Sequence, residues 1–215
     1  MKALLFGAAI AMAASAASAA TYQSTTYTDP SYQVVVTQEG SATRFDLSSV
    51  LGSGDFLGFG FDYAGTSAIE TSDLMLLSAT RANGGSISPA LKLFGDGTGA
   101  VSSCGAGCNF NGSGSASEFD YIVRLGTNGG GQNNYVASAS FSVADTLAAD
   151  FSGFALRLQS TRDSDGNQVN GGSLKIDLEE VDGVAPVPLP AAAPLLLAGL
   201  GGLGFAALRR RQPAA

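Results

Sequence analysis

Leu174-Lys175-Ile176-Asp177-Leu178-Glu179 decides the fold class. Apolar and charged residues alternate strictly, so in an extended chain Leu174, Ile176 and Leu178 fall on one face and the charges on the other, as in a half-buried strand. Wound at 3.6 residues per turn, the same charges would surround the helix and leave no face to bury. Working outward, Tyr32 to Val36, Phe56 to Tyr63, Leu74 to Leu77, Phe119 to Leu125, Tyr135 to Val143 and Phe154 to Leu158 are further short runs rich in β-branched and aromatic residues. Asn83-Gly84-Gly85, Gly95-Asp96-Gly97, Asn128 to Gly131 and Asn170-Gly171-Gly172 separate them with turn formers. Thr66 to Asp73 and Ala144 to Ala149 can each hold a helical turn, but nothing sustains a helical face over three turns. The pattern predicts an all-β protein, an antiparallel β-sandwich of jelly-roll-like form with roughly seven to ten strands.

Both ends read differently. Met1-Lys2, the apolar stretch Ala3 to Ala14 and Ala17-Ser18-Ala19 have the layout of a signal peptide, with cleavage expected after Ala19 or Ala20. At the other end, Val187-Pro188-Leu189-Pro190-Ala191 leads into an apolar run from Ala191 to Leu208, closed by Arg209-Arg210-Arg211. Those 18 residues would make a helix of roughly 27 Å, just short of the ~30 Å hydrocarbon core and workable with local thinning or arginine snorkelling. Pro188 and Pro190 keep the motif extended outside that helix, where a protease can reach it. By the positive-inside rule, Lys2 and the arginines stay cytoplasmic and the intervening chain crosses the membrane. The expected organisation is a signal peptide (1–20), a β-domain (21–183), an extended linker with the motif (184–190), a transmembrane helix (191–208) and a basic cytoplasmic tail (209–215).

The block VPLPAAAPLLLAGLGGLGFAALRRR resembles the PEP-CTERM class of sorting tails, in the variant named for its VPLPA motif. The resemblance implies that Val187, Pro188, Leu189, Pro190 and Ala191 are recognised by an exosortase-like membrane protease of a Gram-negative bacterium. It also implies that the helix holds the chain in the inner membrane and that Arg209, Arg210 and Arg211 act as the stop-transfer signal. Such tails accompany exopolysaccharide and biofilm production. The resemblance covers about the last eighth of the chain and implies a route, with nothing about the fold upstream.

Loss of both ends would leave about 167 residues, enough for one core, with seven Lys and Arg against 18 Asp and Glu, a net charge of −11 where the whole chain has −7. Such a surface repels nucleic acid. Cys104 and Cys108 are the only cysteines. In an exported chain they read as a disulfide closing a small loop at the tip of a long surface segment, residues 100–117, that is poor in large apolar side chains. The chain contains no His, which removes the Ser-His-Asp and Cys-His arrangements and the usual zinc sites. The Gly-rich stretch Gly126 to Gly131 has no Lys-Ser/Thr pair after it and fails as a phosphate loop.

Asp163-Ser164-Asp165-Gly166-Asn167 is the candidate metal site, since Asp163, Asp165 and Asn167 could aim oxygens at Ca²⁺. Aligned on a calcium loop, however, Thr161 and Gly172 stand where its first and last acidic ligands belong, and a polar hairpin explains the same residues. Tyr22 and Tyr27 are expected in a loose leader. The sequence thus points to a non-enzymatic, exported surface or extracellular-matrix protein, whose partners are signal peptidase, the sorting protease, the inner membrane and exopolysaccharide. The alternative is a glycan- or calcium-binding β-sandwich on a plain single-pass anchor.

Overall fold

Alternation of the kind seen at 174–179 recurs in the strands Ser31–Glu39 and Ala42–Leu51. Leu174, Ile176 and Leu178 are buried, with Lys175 and Asp177 half-buried on the opposite face. A computed structural model of the chain describes residues 19–111, 118–126 and 134–181. The signal segment up to Ser18, the motif Val187 to Ala191, the apolar span after it and Arg209 to Arg211 lie outside the described residues. Among the described residues, no helix is long and apolar enough to cross a membrane.

The strands are β1 (Ala19–Ser24), β2 (Ser31–Glu39), β3 (Ala42–Leu51), β4 (Ser53–Tyr63), β5 (Leu74–Thr80), β6 (Lys92–Phe94), β7 (Tyr121–Arg124), β8 (Ser138–Val143), β9 (Phe151–Arg162) and β10 (Ser173–Glu180). Single 3-10 turns occur at Thr71–Asp73 and Ala148–Asp150, inside or beside the two stretches expected to hold a helical turn. All pairings are antiparallel, in the order β5-β8-β3-β2-β1-β10-β9-β4-β7-β6. The strands therefore make one sheet, curled until its halves face each other.

The residue run expected to be a loose leader joins the two halves of that sheet. β1 pairs with β2 from Ala19↔Thr37 to Gln23↔Gln33, and with β10 from Tyr22↔Glu180 to Ser24↔Leu178. Tyr22 also lays its ring edge-on to Phe154, 4.5 Å between centroids, and Tyr27 packs against the core. The backbone groups of β2 and β10 need partners, and β1 satisfies both with one segment.

Phe45 of β3 sits at the centre of the interior. Its ring lies 5.3 Å from Phe59, 6.1 Å from Phe61, 5.3 Å from Phe141, 5.0 Å from Phe151 and 6.2 Å from Phe154. Each such pair adds about 0.5–1.5 kcal/mol beyond the area it buries. β3 was not among the expected strands, although Thr43, Phe45 and Leu47 point inward and alternate with Arg44, Asp46 and Ser48.

β4 carries apolar residues on both faces. Phe56, Phe59 and Phe61 enter the main core, whereas Leu57 belongs to a second cluster with Cys104, Cys108, Phe110, Phe119, Ile122 and Ala155. A bulge against β9 between Phe56 and Gly58 breaks the alternation, so that Leu57 and Gly58 both face outward and Phe59 returns to the main core. The glycines flanking Phe59 leave the seat. A Cβ on Gly58 would lie 2.9 Å from both cysteine sulfurs, and one on Gly60 would lie 2.7 Å from the Phe119 ring. The part of residues 100–117 that is described is therefore no free surface loop, because Cys104, Cys108 and Phe110 are fully buried against the sheet. Bridges Val101↔Phe119 and Ser103↔Asn109 pin it down.

Candidate functional site

The candidate metal residues sit at the tip of the β9–β10 hairpin, just beyond the Arg162↔Gln168 bridge. The Asn167 N–H and side-chain amide donate to the Asp163 carboxylate at 2.7 and 3.1 Å, and the Gly166 N–H donates to the Asp163 carbonyl at 3.0 Å. These bonds, with the Asn167 side chain first, hold the Asp163 carboxyl below its ordinary range. The Ser164 N–H and hydroxyl both donate to Asp29. Asn167 thus turns a donor toward Asp163, where a cation would require an oxygen. Among the described residues, no group of three or more His, Cys, Asp or Glu gathers that could hold a metal. The arrangement is that of a polar hairpin tip.

Cys104 and Cys108 are at disulfide distance, with Cα atoms 5.1 Å apart. Arg124 clamps the loop they close. Its guanidinium donates to the carbonyls of Cys104 at 2.8 Å, Ala106 at 3.2 Å and Gly126 at 2.9 Å. Sequence reasoning missed this residue; the available signal was one cation inside the apolar run Tyr121-Ile122-Val123-Arg124-Leu125.

Asp55 was missed as well. It is fully buried in β4, accepting the Val136 N–H at 2.7 Å and the Gln159 amide at 2.8 Å. Burial raises its carboxyl above the ordinary value, and the two hydrogen bonds oppose that shift only in part. Two further carboxylates, Asp62 and Asp120, accept from backbone: the Asp120 N–H donates to Asp62 at 3.3 Å and the Tyr63 N–H to Asp120 at 3.0 Å. Burial, and then the neighbouring Asp120 charge, push Asp62 up.

Among the recesses that the described residues line, two bear on function. The larger, about 610 Å³, has Ile87, Pro89, Phe94, Leu125 and Val136 in its wall together with Lys92 and Arg124. The smaller, about 370 Å³, is rich in hydroxyls: Ser48, Ser49, Ser53, Tyr135, Ser138 and Ser160 line it, beside Arg162 and Gln168. There Ser160 adopts φ 54° within β9, an uncommon conformation for a non-glycine residue, and its hydroxyl donates to the Tyr135 oxygen at 2.9 Å. Comparison of the chain with protein-family models, with curated proteins and with solved structures finds no match.

Proposed function

We propose that this chain is an exported, non-enzymatic surface or extracellular-matrix protein, a jelly-roll-like sandwich carried between a signal peptide and a single transmembrane helix. An exosortase-like protease acting at Val187 to Ala191 would release it from the inner membrane of a Gram-negative bacterium. The observation that best supports this reading is the juxtaposition of the first and last strands. β1 and β10 are neighbours, the Val181 N–H donates to the Thr21 carbonyl at 2.9 Å, and Ala19 to Tyr22 share one end of the sheet with Glu180. A body attached through either terminus is therefore held at one end, leaving the β9–β10 hairpin tip and the hydroxyl-lined recess at the other. Mass spectrometry of the mature product should find a C-terminus between Val187 and Ala191, whereas peptides containing Arg209 in the mature pool would refute processing.

A second reading, a glycan-binding module on a plain anchor, is favoured by the hydroxyl-lined recess at Ser53, Tyr135 and Ser160. Retention on a glycan array that weakens with Tyr135→Ala supports it. Absence of retention removes it.

A further inference from the structure

Lys92 and Arg124 stand directly opposite each other on β6 and β7. Like charges in that register repel, and a sheet ordinarily avoids placing them there. In this acidic chain both cations line the 610 Å³ cleft, while among the described residues no Asp or Glu does. Arg44, by contrast, is paired with Asp46 at 2.8 Å and Glu39 at 3.2 Å, whereas Arg162, like Arg124, donates to a backbone carbonyl. Arg124 binds three carbonyls, which fix its position but leave its charge without a counterion among those contacts. The remaining wall is mostly apolar, from Ile87, Pro89, Phe94, Leu125 and Val136, with Ser88 and Asn134 as further polar residues. A preformed recess of this size, with convergent polar groups on an apolar lining, has the anatomy of a small-molecule site.

We propose that the cleft binds an organic carboxylate with a compact ring body, the acid lying between Lys92 and Arg124 and the ring against Phe94. The carboxylate relieves the cross-strand repulsion, and the immobilised guanidinium loses little freedom on binding. One or two rings match the volume, so the acid is either a uronate sugar or a non-sugar aryl acid. The proposal does not depend on how the chain is exported.

Calorimetric titration of the full chain in a nonionic detergent tests this, with digalacturonate, phenylacetate, cellobiose and inorganic phosphate as probes. Saturable binding of either carboxylate, weakened about tenfold by Lys92→Gln and further by salt, is expected. Tighter binding of digalacturonate identifies a saccharide acid, and tighter phenylacetate an aryl acid. Three results would overturn the proposal: no heat with either acid up to roughly 10 mM, phosphate or cellobiose binding as well as the carboxylates, or affinity unchanged in Lys92→Gln. In the last case Lys92 only guards the exposed β6 edge against pairing. Because Lys92 takes no part in the Arg124 clamp, its variant separates lost binding from lost folding. The unfolding midpoint of Lys92→Gln should equal that of the parent or lie slightly above it, since the variant removes the like-charge contact.

Discussion

The two faces of β4 hold cores of different kinds. On the inner face, Phe56, Phe59 and Phe61 join a cluster drawn from nearly every strand, with Phe45 at its centre. On the outer face, Leu57, Gly58 and Gly60 seat a loop that buries two cysteines and two phenylalanines. The inner core is held by apolar area gathered from distant parts of the chain. The outer one needs a covalent clip, a guanidinium clamp and glycines because it has few large side chains to bury. A small apolar cluster cannot offset the entropy of ordering a Gly- and Ser-rich loop.

Phe45→Ala should give the largest loss, about 4 kcal/mol by chemical denaturation, because it leaves a cavity ringed by five phenylalanines. A loss below about 2 kcal/mol would mean that the ring cluster is not the centre of stability. Cys104→Ala with Cys108→Ala comes next, at about 2 kcal/mol, since a ring closed across only four positions removes little chain entropy. Hydrogen exchange should then speed up at Val101 and Phe119, which bond to each other at 2.7 and 2.9 Å, while β2 and β3 stay protected. Equal acceleration in β2 and β3 would merge the two cores into one cooperative unit.

Gly58→Ala is smaller, between about 1 and 2 kcal/mol, from forcing a methyl against both sulfurs. In the background lacking both cysteines the penalty should shrink by at least about 0.5 kcal/mol. If it does not, the glycine serves the backbone of the bulge and not the seat.

Two carboxylates produce the smallest effects, with opposite slopes. Asp55 is raised by burial, so the stability it contributes is fully present below its unfolded value near 3.8 and is lost as pH rises through the folded value. The stability of the protein relative to Asp55→Asn should therefore grow on acidification. Asp163 is lowered by its hydrogen bonds, so its contribution is present above 3.8 and vanishes as pH falls through the folded value. Relative to Asp163→Ala, the protein should lose its advantage in acid. Thermal midpoints between pH 2 and 7 read both, and parallel slopes would contradict the pair.

Much of the inner core was legible, because burial on one face writes a period of two into Leu174 to Glu179 and period-two runs elsewhere. The outer core was not. Cys104, Cys108 and Phe110 have no apolar periodicity, and their burial depends on a bulge in β4 and on glycines that are far away in sequence. Lys92 and Arg124 were invisible as a pair for a similar reason, being brought opposite each other by the β6–β7 register alone. At the candidate metal loop, the residue types allowed two outcomes, and the direction of the Asn167 amide favours the hairpin.

Residue order by itself determined the strand class, the inward faces of the alternating runs and the character of the turns, since these follow from local backbone geometry and the cost of burying charge. Only the tertiary structure decided that β1 joins β2 to β10, that a loop poor in large side chains covers the outside of β4, and that two cations share one cleft. Those outcomes depend on which distant backbone groups find each other, and no stretch of neighbouring residues records that choice.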